Sequence, residues 1–139
     1  MRIRVLTVAF VFALVSGLGV MAFPAKGFCQ QPQAQTYEGT PYLSGGIGTN
    51  GRSALEQAAK GYNLKVIMAM KTGDFVADAE VTVANPAGKT VLQAKAQGPW
   101  LYAKLPAGTY KVMAQLNGKQ LQQTVKVSSR TQSRVRFYW

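Results

Sequence analysis

Histidine is absent from the 139 residues, cysteine occurs once, and the carboxylates number only five: Glu38, Glu56, Asp74, Asp78 and Glu80. A histidine-based triad, a histidine-ligated metal and a thiolate cluster are thereby excluded, and with them most ordinary ways of building an active site. Cys29 is the lone cysteine, so no internal disulfide forms; if it survives processing, it is a free or intermolecular thiol. The length leaves room for one compact domain and no second catalytic one. These absences imply a non-enzymatic chain with no catalytic residues, no cofactor and no metal.

An apolar fraction of 47% is enough for a core, and 15% charged residues is low for a disordered chain. Arg2 and Arg4 precede an apolar run from Val5 to Val15, followed by Ser16, Gly17 and Gly19, the three regions of a secretory signal peptide. The run is shorter than the roughly 20 residues that span a bilayer, so the mature chain is expected to carry no transmembrane segment. Cleavage after Ala22 is the first expectation, and a periplasmic or secreted product follows. Phe28 before Cys29 is too bulky for the position that lipoprotein processing requires. Loss of Arg2 and Arg4 from the 16 basic residues leaves 14 against 5 acidic. In the envelope such a charge points to an envelope protein or an anionic envelope polymer, with no nucleic acid among the partners.

Residues 23–43 are rich in Gln, Pro, Ala and Thr and read as a flexible tether. Residues 44–61 read as a glycine-rich turn and a short helix. The glycines of residues 44–48 lack the strand, helix and lysine context of a phosphate cradle. Ser53-Ala54-Leu55-Glu56 fits a capping box, which predicts a helix over residues 52–60 ended by Gly61. After Gly61 the period becomes alternating. Leu64, Val66, Met68 and Met70 predict one inward face, and Ala79, Val81 and Val83 the next. Leu92 and Ala94, then Leu101, Ala103 and Leu105, then Tyr110, Val112, Ala114 and Leu116 continue the pattern. Asn117-Gly118 is a strong hairpin signal before Leu121, Val125 and Val127. Val135, Phe137 and Trp139 close the chain. Seven short strands with turns about every 8 to 12 residues predict an all-β, seven-stranded antiparallel sandwich, Ig-like or transthyretin-like, over residues 62–139. Its open edges allow a monomer or a weak edge-paired dimer.

The run Leu105-Pro106-Ala107-Gly108-Thr109-Tyr110 resembles the signature of carboxypeptidase regulatory-like domains, the transthyretin-like β-sandwiches. Ala77–Val83 is similar to an earlier strand of that family, and Gly88-Lys89-Thr90 to the turn that follows it. The resemblance implies an accessory binding or structural module standing alone, without the peptidase or its zinc ligands.

Trp100, Tyr102 and Lys104 share the strand face opposite Leu101, Ala103 and Leu105, and Arg134, Arg136 and Tyr138 the face opposite Val135, Phe137 and Trp139. If the two strands are close, these six form an outward aromatic and basic patch, the candidate binding site. Guanidinium groups take carboxylate or phosphate, and flat rings anchor proteins or stack on sugars. Trp100 covering the sandwich edge or the helix, with the arginines merely solvated, fits the same spacing. Asp74, Asp78 and Glu80 lack a regular calcium-loop pattern and read as surface charge. The expected function is non-covalent binding of an envelope component, foremost a protein, with a carbohydrate or polyanion as the alternative.

Overall fold

The structure, a computed structural model, describes residues 32–139. The expected signal peptide, its cleavage site and Cys29 lie outside the described residues. Nine strands and one helix follow in the order β1 (Gln35–Tyr37), β2 (Thr40–Gly45), α1 (Gly48–Ala58), β3 (Leu64–Ala69), β4 (Glu80–Ala84), β5 (Thr90–Lys95), β6 (Trp100–Ala103), β7 (Gly108–Leu116), β8 (Lys119–Val127) and β9 (Ser133–Tyr138). They form a five-stranded sheet, ordered β1-β2-β6-β3-β9, and a four-stranded sheet, ordered β5-β4-β7-β8. The all-β sandwich stands, with nine strands in place of seven.

The alternating positions build the core between the sheets. Leu64, Val66, Met68, Leu101, Ala103, Val135 and Phe137 meet Val81, Val83, Leu92, Val112, Ala114 and Val127, all buried. Met70, expected inward, is 38% exposed because β3 ends one residue earlier. Asn117 and Gly118 both take positive φ, so β7 and β8 join through the two-residue turn whose twist matches the strands. Tyr110 turns inward, and its hydroxyl donates to the Pro106 carbonyl at 2.7 Å, closing the Leu105–Tyr110 turn on itself.

Three departures from the sequence reading have physical causes. First, residues expected as tether and turn form the β1–β2 hairpin, and β2 pairs antiparallel with the outer edge of β6. Its turn is Glu38-Gly39, both at positive φ, a geometry usually supplied by Asn-Gly or Asp-Gly. Second, β3 pairs with β9 in parallel, so the sandwich is not wholly antiparallel. Alternation reports which face a side chain takes and is blind to strand direction. Third, α1 starts four residues before the expected 52 and makes no side-chain cap. Ser53 therefore sits inside the helix, and Glu56 reaches Lys65 on β3 instead of returning to the helix start.

Asn63 ties the two sheets together where β3 begins. Its side-chain amide donates to the Leu105 and Ser128 carbonyls at 2.6 and 3.2 Å, and its Oδ1 accepts from the Leu105 amide at 2.9 Å. Its backbone amide donates to the Ala103 carbonyl, and its own carbonyl accepts from the Ser133 amide, which sets the β3–β9 register. The β6–β7 turn, the β8–β9 connection and the sheet centre thus hang on one buried amide. The Gln123 amide donates to the Arg136 carbonyl, and the Trp139 indole to the Lys119 carbonyl at 3.1 Å, so β8 and β9 cover each other along one side.

Asn63→Ala removes three hydrogen bonds and orphans buried partners, so it should cost about 2–4 kcal/mol. Urea unfolding of both chains checks this, with Asn63→Asp expected to be no better because a carboxylate faces two carbonyls.

Candidate functional site

The outer face of the five-stranded sheet is fixed by register. Leu43, Tyr102, Lys65 and Arg134 lie in one row across β2, β6, β3 and β9; Gly45, Trp100, Ile67 and Arg136 lie in the next. A third row holds Phe75, bridged to Ala69, and then Tyr138. In-register residues point to the same side of the sheet, so the aromatic and basic residues expected as a patch do share a face. β6 and β9 are not neighbours, however, because β3 runs between them.

Helix α1 covers the β2–β6 half of this face. Leu55 and Ala59 pack on Leu43 and Tyr102 in a small cluster of their own, rimmed by Tyr62 and Trp100. Tyr102, expected outward, is therefore only 1% exposed, and burial pushes its hydroxyl up to about 12. Trp100 is half-buried, with its indole N–H enclosed and unpartnered among the described residues. Two glycines lie alongside. Gly46 takes a positive φ, and a Cβ on it would stand 3.3 Å from the Arg52 Cγ; a Cβ on Gly98 would collide with the backbone of Gly45, the β2 residue opposite Trp100. Lys104 is exposed one residue beyond the end of β6, and apart from the rows above.

At the border of the covered half lies Lys65, 5% exposed. Its Nζ sits 3.5 Å from the Trp100 ring centroid and 5.3 Å from that of Tyr102, and meets Glu56 Oε1 of α1 at 3.3 Å. Burial holds the ammonium below the usual lysine range. Glu56 opposes that shift, while Arg134 and Arg136 add to it. Arg52 of α1 places its guanidinium 5.0 Å from the Phe75 ring and 6.0 Å from the Trp100 ring. The indole is thus flanked by two cations, an arrangement its π face favours.

The β3–β9 half lies open. Arg134 and Arg136 are exposed, as are Tyr138 at 49% and Phe75 at 52%. Among the described residues the sole ion pair is Lys65–Glu56, so the guanidiniums of Arg52, Arg134 and Arg136 have no carboxylate partner. Arg52, Lys65, Ile67 and Phe75 were not singled out in the sequence. For Lys65 and Ile67 the signal was present in Leu-Lys-Val-Ile-Met-Ala, whose nearly continuous apolar character marks an interior strand largely covered on its second face; Arg52 and Phe75 lie outside that run.

Other features offer less. Asp74 accepts from the Thr72 hydroxyl at 3.0 Å, Glu80 lies on the opposite sheet, and no group of three acidic, cysteine or histidine side chains among the described residues could hold a metal. A cavity of about 410 Å³ beside Gly46, Ile47 and Gln97 has no titratable side chain in its lining. No helix among the described residues is long and apolar enough to cross a membrane.

Residues 62–138, more than half of the chain, match the family described as the Rhizobiales growth-associated tandem repeat domain. The chain belongs to this family. Its description differs from that of the carboxypeptidase regulatory-like domains that the Leu105–Tyr110 run resembles. No curated protein matches the chain. The repeat domain contains β3–β9, whereas β1, β2 and α1 precede it. The cover over Tyr102 and Trp100 is therefore an addition to the repeat domain, and the open half with Arg134 and Arg136 belongs to the domain itself.

Lys65→Met replaces a buried ammonium with an apolar side chain of similar length and leaves behind only the exposed carboxylate of Glu56, so it should be neutral or stabilising at neutral pH. Because the folded-state value is lowered, the unfolded chain binds more protons as pH rises through it, and the wild type gains stability up to the ordinary lysine value of about 10.4. The stability difference between the two proteins should accordingly shift in favour of wild type between neutral pH and about pH 10, read by chemical unfolding at each pH.

Proposed function

We propose that the chain is an exported, non-enzymatic module that binds an acidic protein of the cell envelope through the open half of this face. One observation carries the reading. Three guanidinium groups and two exposed rings share a surface on which Glu56, the carboxylate of α1, is already engaged by Lys65. Uncompensated positive charge beside exposed aromatic area is the pattern of a surface whose partner supplies the negative charge and the apolar contacts.

Export rests on the sequence of residues 1–22, and a non-enzymatic role on the absence of histidine and the dispersion of five carboxylates. A transthyretin-like relationship, supported by the Leu105–Tyr110 turn, is compatible with an accessory module. Carbohydrate binding has less support, because Tyr102 is buried under α1 and Lys65 already occupies a face of Trp100. A polymeric polyanion would satisfy the arginines and leave Phe75 and Tyr138 unused.

The test compares the wild-type chain with a triple variant, Arg134→Ala, Arg136→Ala, Tyr138→Ala, in a pull-down from envelope extract. All three side chains are exposed, so the variant should keep its circular dichroism. A defined protein retained by the wild type at moderate salt and lost by the variant is the expected result. Retention by both, or binding to polymer alone that vanishes as salt rises, contradicts the proposal.

A further inference from the structure

We infer that the open half of the face seats an acidic amphipathic helix of the partner protein, lying beside α1. This rests on the binding role proposed above and specifies the element that is bound. Helix α1 shows how the sheet accepts such a cover: a narrow apolar stripe, Leu55 and Ala59, enters between side chains of β2 and β6, and one carboxylate, Glu56, meets a cation of β3. The open half repeats those requirements one step along the sheet. Its floor is the half-buried Ile67, with the buried Ala69 beneath; its rims are Phe75 on one side and Tyr138 on the other. Arg134 and Arg136 stand where carboxylates of a second helix would fall.

The dimensions agree. β6 and β9 are two strand spacings apart, about 10 Å, which is the distance at which neighbouring helices pack, about 8–10 Å. The six residues of β9 extend about 20 Å at roughly 3.3 Å each, a length spanned by about 13 helical residues.

Neither residues 1–31 nor α1 of a second copy has the composition of this helix. Residues 1–31 contain Arg2, Arg4 and Lys26 and no acid. Helix α1 of a second copy brings Arg52 with a single glutamate, Glu56. Lys65 and Arg134 are in register on the same face, and like charges placed so repel. Glu56 offsets the charge of Lys65 but leaves Arg134 and Arg136 without a carboxylate; an acidic partner supplies one, and an amphipathic one also covers Ile67, Phe75 and Tyr138. A purely hydrophilic polyanion does the first and not the second.

A synthetic peptide of about 15 residues, with Leu and Ala at helical spacing and Glu elsewhere, is the probe, set against an isomer of the same composition scrambled to lose its apolar stripe. Both are titrated into the full chain labelled with ¹⁵N, with phosphatidylglycerol vesicles as a third arm. The expected result is that the amphipathic peptide gains helicity, shifts the amides of Ile67, Arg136 and Tyr138, and loses about tenfold or more in affinity against Arg134→Ala, Arg136→Ala. Equal binding of the scrambled isomer, binding without gain of helicity, or shifts confined to the opposite sheet overturn the helix. Vesicles that displace the peptide from those amides assign the face to a lipid surface and overturn it as well. The pull-down with the triple variant reports separately on the broader reading, so loss of the helix and loss of the protein partner are distinguishable.

Discussion

Burial of one ammonium group organises the outer face. Lys65 lies on β3, an interior strand of the five-stranded sheet, where an ion stripped of water costs several kcal/mol unless it is paired. The fold pairs it three ways, with Glu56 from α1, the face of Trp100 and the ring of Tyr102. Each partner demands something of the chain. Glu56 must come from a helix lying on the sheet, and the helix must pack Leu55 against Leu43 and Tyr102. The cost of the buried charge is offset only when the N-terminal elements are in place.

Those elements lie ahead of the matched repeat domain. β2 occupies the outer edge of β6, which would otherwise present unpaired backbone groups, and α1 covers the face beside it. At the opposite side of the sandwich, β8 and β9 cover each other through Gln123, Ser133 and Trp139. The open part lies over β3 and β9, within the repeat domain, and carries the unpaired arginines.

Much of this was legible in the sequence. Alternation placed Val81, Val83, Leu92, Val112, Val135 and Phe137 inward, and Asn117-Gly118 located the β7–β8 turn, because a strand with one buried face leaves a period of two. The shared face of Trp100, Arg134, Arg136 and Tyr138 followed from the same parity. Direction and adjacency leave no such trace: nothing local in Ser133–Tyr138 encodes a parallel partner 69 residues away at Leu64. The β1–β2 hairpin was hidden by Glu38, an unusual residue for a positive-φ turn position, and by the polar composition around it. Helix α1 was misplaced because Glu56, which suited a cap at Ser53, is spent on a tertiary contact with Lys65 that local pattern cannot reveal. The same tertiary demand buried Tyr102, the one member of the expected patch that is lost from the surface.

The central claim is that the surface over β3 and β9 is where this molecule meets its partner. Amide cross-saturation measures it most directly, by transferring magnetisation from an unlabelled partner, recovered from envelope extract, to the deuterated chain. The account expects attenuation at Ile67, Phe75, Arg134, Arg136 and Tyr138, with Thr82, Gln115 and Gln120 on the opposite sheet unaffected. Attenuation centred on those three residues, with the β3–β9 surface silent, would contradict it.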